Sequence, residues 1–197
     1  MTAINPLSTF HQWLLAEPNG AASACAIILH GDSPMFSERF IAEIADYLNE
    51  YDDDGAGHWL SATTRLVSQI TDSPELRRLL GIDETRAKNQ PAGSCRVNNT
   101  LDALGHRGRV IFQAPSTVGD PVQLTRAFHV GIGTGIPDAS QCHLILNPEL
   151  MDSDLVARVI GDVFLEWLNR GHQRVATRPQ DPAEYARNSA KDDQTRP

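Results

Sequence analysis

The chain has few of the residues that would mark it as secreted, membrane-bound or metal-clipped. Of its 197 residues only three are cysteines, Cys25, Cys95 and Cys142, widely spaced and without a C-x-x-C pair. An odd, scattered set of this kind excludes a disulfide framework and fits reduced thiols in a cytosolic protein. The first residues, Met-Thr-Ala-Ile-Asn-Pro, lack the basic and apolar regions of a signal peptide. No apolar run approaches the length needed to cross a bilayer. Positive charge is scarce as well: 17 Lys and Arg face 25 Asp and Glu, a net charge of −8. Such a surface repels phosphate backbones and anionic lipids, which excludes a general nucleic-acid or membrane-surface binder. There is no internal repeat. A cytoplasmic, soluble protein is the expectation.

What is present fits one domain of ordinary size: 41% of the residues are hydrophobic and 21% charged. A single α/β domain is expected over residues 1–171, beginning with an N-terminal helical segment in 1–20. In residues 172–197, Val175 and Tyr185 are the only sizeable apolar residues. That stretch reads as a disordered polar tail.

The organising stretch is Ala26-Ile27-Ile28-Leu29-His30-Gly31-Asp32-Ser33-Pro34 and the amphipathic pattern that follows it. An apolar run of strand length ends at a glycine and gives way to a helix with Phe40, Ile41, Ile44, Ala45 and Leu48 on one face. Ser33 and Pro34 are the expected cap and first residue of that helix. His58-Trp59-Leu60-Ser61, Arg109–Gln113, Ala127–Ile132 and Cys142–Leu146 read as further strands. Helices are expected around Phe10, Trp13 and Leu14; around Leu66, Val67 and Ile70; after Ser73-Pro74; and through Val97, Leu101 and Leu104, closed by Gly105. The last helix, from Asp152 to Arg170, has Leu155, Val159, Val163 and Trp167 in steps of four, flanked by Val156, Ile160, Phe164 and Leu168, with Gly171 as its stop. Residues 83–94 read as a mobile loop, and Asp52-Asp53-Asp54 as a solvated turn without the alternation of a calcium loop. Strands alternating with helices predict a three-layer α/β/α domain with a mainly parallel sheet.

The order of apolar strand, glycine turn and helix, with a second apolar strand at Arg109–Phe112, resembles the P-loop NTPases of AAA+ and STAND type over about residues 24–147. The resemblance implies a nucleotide-binding fold, but the groups that hold a nucleotide are replaced. A working loop needs glycine, lysine and a hydroxyl to wrap and neutralise phosphates. Counted from Gly31, those positions hold Phe36, Ser37 and Glu38, and the end of the Arg109 strand offers Gln113 and Ala114 where a Walker B carboxylate would stand. Gly31, Asp32 and Ser33 are then a vestigial loop, and no cofactor is expected. Degenerate members of this kind, as the resemblance implies, serve as scaffolds or sensors in larger complexes, including bacterial conflict and defence systems. Leu29-His30-Gly31 also resembles the early glycine loop of α/β-hydrolases. The G-x-S-x-G elbow that should accompany it is absent, and Leu104-Gly105-His106-Arg107-Gly108 has no nucleophile.

Among seven histidines, His30, His129 and His143 lie in or at the ends of predicted strands, where parallel strands bring their tips to one edge. With Asp32 they are the candidate catalytic residues of an alternative reading, a hydrolase-like and metal-dependent enzyme. No two stand at a short metal-ligand spacing. Cys25 and His30, or Cys142 and His143, cannot form a thiol–imidazole pair, because their places on a strand point to opposite faces. Gly131-Ile132-Gly133-Thr134-Gly135 departs from the dinucleotide fingerprint and reads as a turn. The reading that follows is a non-catalytic protein-binding or regulatory subunit whose partner is another protein. An acidic immunity or inhibitor protein, with a basic target, is a further alternative.

Overall fold

A computed structural model describes residues 6–15, 24–51, 58–82, 94–115, 124, 126–136, 138–147, 149 and 151–170. The expected loop at 83–94 (apart from the helix residue at its end), the acidic turn at 52–54, Gly171 and the tail lie outside the described residues. In chain order the elements are α1 (Pro6–Leu15), β1 (Cys25–His30), α2 (Glu38–Tyr51), β2 (Leu60–Ser61), α3 (Thr64–Asp72), α4 (Pro74–Leu79) and α5 (Ser94–Arg107). They continue with β3 (Arg109–Gln113), β4 (Ala127–Ile132), a 3₁₀ turn at Ala139–Gln141, β5 (Leu144–Leu146) and α6 (Ser153–Asn169). The five strands pair in the order β2-β3-β1-β4-β5, and every pairing is parallel. The three-layer α/β/α expectation holds.

β1 is buried from Cys25 to Leu29 because it lies in the middle of this sheet with a helical layer on each face. Its alternation divides the core in two. Cys25, Ile27 and Leu29 join a cluster with α2 and α6 that includes Phe40, Ile44, Phe128, Phe164 and Trp167. Ala26 and Ile28 join a second cluster with Phe10 and Trp13 of α1, Leu66 and Ile70 of α3 and Leu101 and Leu104 of α5.

Two helix boundaries and one helix face differ from the sequence reading, each for a physical reason. Helix α2 begins at Glu38, four residues later than the Ser33-Pro34 pair suggests. Ser33 is spent on a tight turn, where its Oγ accepts from the Met35 N–H and its carbonyl from the Phe36 N–H. Ser37 Oγ, accepting from Phe40 N–H at 3.2 Å, is the helix cap. Helix α5 runs through Gly105 to Arg107. The chain packs closely there: a Cβ on Gly105 would stand 2.5 Å from Leu124 Cδ1 and displace that side chain. In α6 the row Val156, Ile160, Phe164 and Trp167 faces the core, whereas Leu155 is 46% exposed. Helices α2 and α6 meet closely where Tyr47 lies over Gly161, and Tyr47 Oη donates to Asp162 Oδ1 at 2.5 Å.

Candidate functional site

The chain leaving β1 runs towards β2, whereas the chain leaving β4 runs towards β5. The carboxyl ends of these two neighbouring strands therefore flank a topological switch point, the usual ligand crevice of an open α/β sheet. His30 and Gly31 stand there, as do the last residues of β4.

The crevice is closed by the protein's own backbone. Gly31 has φ +112°, and a Cβ on it would meet the Ile132 carbonyl oxygen at 2.3 Å. Only glycine permits so close an approach. Asp32 then forms an isolated bridge with Thr134, its N–H donating to the Thr134 carbonyl at 2.7 Å. Gly133 and Gly135 take left-handed conformations on either side of Thr134, and Gly133 N–H donates to Leu146 C=O. The 131–135 turn thus ties β1 to β5. Of the backbone N–H groups that a phosphate loop leaves free, those of Asp32, Met35 and Phe36 are already bonded within the chain.

Register explains which histidines meet. Ile28 pairs with His129, and His30 with Gly131, so the two imidazoles rise from the same face of the sheet on diagonal positions. His30 Nε2 and His129 Nδ1 are 2.8 Å apart, with ring centroids at 5.1 Å and planes inclined by 16°. Both residues are half-buried. Burial lowers the pKa of His30 below its ordinary value and is the one resolved cause.

His143 joins this pair through the backbone of β4. Its N–H donates to the His129 carbonyl at 2.7 Å, and its Nδ1 accepts from the His129 N–H at 3.0 Å. A side chain thus completes the ladder just before β5 begins, with the proton of His143 on Nε2. The ring is packed between Phe128 and Trp167, with centroids at 5.2 and 5.5 Å, and lies 5.8 Å from the ring of His129. Asp32 does not join the imidazoles: its side chain is exposed. Among the described residues, no group of three or more His, Cys, Asp or Glu side chains converges as a metal-binding set. His11, His58 and His106 are exposed and lie on other elements, and His172 is outside the described residues.

The cysteines diverge as the alternation requires. Cys25 lies in the first cluster, on the face opposite His30, and burial pushes its thiol up to about 11, with Arg109 and Arg126 opposing the shift. Cys142 ends the 3₁₀ turn. Its Sγ would meet a Cβ on Gly131 at 3.3 Å, and Ile136 Cδ1 would meet the same atom at 2.7 Å. Gly131 is therefore a bare backbone position beside His30, a residue that the sequence places in the strand Ala127–Ile132 and in the glycine-rich turn but not in a site. The period-two pattern of 127–132 was its available signal, since it puts Gly131 on the face of His129.

Comparison with protein-family models, with curated proteins and with solved structures gave no match for this chain.

Proposed function

We propose that this domain acts without catalysis, as a protein-binding or regulatory subunit on a degenerate nucleotide-binding fold. The closed corner after β1 carries the reading. Its amides serve Thr134 and Ser33, Phe36 packs against the first core cluster, and Glu38 brings a carboxylate to the first turn of α2. Protein charge thereby satisfies the helix dipole where a phosphate would otherwise sit. β3 lies beside β1, and Gln113 and Ala114 at its end supply no carboxylate for a magnesium ion.

Charge distribution supports a basic protein as the partner. Helices α2 and α6, side by side on one face, carry seven Asp and Glu against two Arg. Helices α1, α3, α4 and α5 on the other face carry three against five Arg. A basic surface would be steered to the α2/α6 layer.

Purified protein is expected to show no magnesium-dependent ATP hydrolysis and to form a salt-sensitive stoichiometric complex with its partner. Hydrolysis lost on Asp32→Ala or Glu38→Ala would overturn the reading. The rival, an enzyme at the sheet edge, draws on the meeting of His30 with His129. Stoichiometric zinc or manganese retained through purification would favour it.

A further inference from the structure

We propose that this chain assembles head to tail with copies of itself, a leucine patch at the ends of α1 and α4 docking on the tyrosine end of the α2/α6 layer. The proposal rests on the reading of that acidic layer as the receiver of a basic surface, and it names the surface as a second copy's.

The leucine patch follows from helix geometry. In α1, Phe10 and Trp13 are buried in the second cluster. Leu15 lies two residues beyond Trp13, about 200° around the helix, and is 83% exposed. Leu79 ends α4 and is 48% exposed. The Arg107 guanidinium joins these helix ends, donating from Nη1 to the Leu79 carbonyl at 3.3 Å and from Nη2 to the Leu14 carbonyl at 3.4 Å. Two exposed leucines are thereby gathered around one cation. Arg78, beside Leu79, is exposed and adds a second. The same helix carries one carboxylate, Glu75, in its first turn.

The tyrosine patch has the opposite sign. Tyr47 and Tyr51 are one turn apart on α2, with ring centroids at 4.6 Å, and Tyr51 is 52% exposed. Asp46 and Glu50, each one residue before a tyrosine, are exposed. Tyr47 Oη donates to Asp162 of α6, a third exposed carboxylate. One cation, Arg158, is close enough to act on Tyr47.

Each patch is thus an apolar centre with a charged rim, the make-up of a protein interface. Charge then selects the pairing. Leucine patch against leucine patch brings arginines together, and tyrosine patch against tyrosine patch brings carboxylates together. A two-fold dimer needs one self-complementary patch, so both patches disfavour it. Leucine patch against tyrosine patch sets apolar centre on apolar centre and cation beside carboxylate. The helices that carry the two patches pack on opposite faces of the sheet, so one copy can use both at once. Association therefore continues past a dimer. The net charge of −8 opposes the gathering of copies and keeps the contact weak.

Sedimentation velocity from micromolar to millimolar concentration tests this. The original protein is expected to pass from monomer through dimer to larger species as concentration rises. A monomer throughout would overturn the proposal, as would a dimer that grows no further. Leu79→Glu spoils the leucine patch and Tyr51→Lys the tyrosine patch, and each variant should lose self-association. Mixed, the two should form a one-to-one dimer and nothing larger, because each retains the patch that the other lacks. Self-association of either variant equal to the original's, or no dimer in the mixture, would also overturn it. Should either variant not fold, Leu15→Glu and Glu50→Lys place the same charges in the same patches. A monomeric chain would leave the acidic layer open to a different basic protein. Magnesium-dependent ATP hydrolysis would remove the protein-binding reading whatever the oligomeric state, so the two fail separately.

Discussion

The two faces of the sheet are covered to different extents. On the α2/α6 face, apolar packing runs from Trp59, beside the β2 end of the sheet, to Leu146 on β5. Phe164 stands edge-on to both Trp59 and Phe128, with centroids at 5.1 and 5.5 Å, and Trp167 fits beside them. On the other face the apolar cluster draws on β1, β2 and β3 and reaches β4 only through the half-buried Ala127. Beyond it, among the described residues, that face shows His30, His129, Gly131 and Ile145, the last 52% exposed. Both faces hold the fold together by dispersion and burial, but the cluster of the second stops short of the β4 and β5 end, and there the sheet carries polar, titratable contacts.

The largest effect should come from breaking the apolar face. Phe164 is fully buried, and Phe164→Ala should cost about 3–5 kcal/mol in denaturant unfolding. A loss under about 1 kcal/mol would mean that this face does not carry the fold.

Gly31→Ala strikes the corner where the faces meet. Its φ of +112° and the 2.3 Å approach to Ile132 O combine strain with a backbone clash. The expected loss is about 2–4 kcal/mol, with the β4–β5 amides losing exchange protection first. Uniform loss across the sheet would show that the corner is not a separate unit.

Cys25 sharpens the comparison through pH. Its thiol titrates at about 11 in the folded protein, above its ordinary value of 9.0. The unfolded chain therefore loses this proton first as pH rises. The contribution is complete below pH 9.0 and declines as pH rises through 11, by at most about 3 kcal/mol. Cys25→Ala should lower stability at neutral pH by leaving a small cavity and flatten the decline between these limits. An unchanged slope in the variant would remove Cys25 as its source.

The smallest effect belongs to the polar face. Ile145→Ser should change stability by no more than about 0.5 kcal/mol, because the side chain is half exposed on an edge strand. A larger loss would reveal that this part of the face is covered in solution.

Much of the architecture was legible because it rests on local periodicity. The apolar run into Gly31 and the recurrence of Phe40, Ile41, Ile44 and Leu48 identify β1, α2 and its inward face. The start of α2 was misplaced because Ser33 and Ser37 are both good caps, and only the turn at Ser33–Phe36 selects Ser37. The inward row of α6 was shifted by one residue because its apolar band is wide. Val159 and Val163 pack partly against the core while Leu155 does not. Gathering His30, His129 and His143 at one edge followed from expecting parallel strands. Excluding Asp32 from them did not.

The sequence by itself determined the alternation of strands and helices, the burial of most of β1, and the presence of Phe36, Ser37 and Glu38 where a phosphate loop counted from Gly31 needs glycine, lysine and a hydroxyl. These depend on residue type and on spacings within a few turns of chain. Tertiary structure decided that β4 lies beside β1 in the register that opposes Ile28 to His129, and that Thr134 closes the corner on Asp32. A pairing between residues 99 positions apart is fixed by strand order and by the packing of both helical layers, which no local pattern encodes.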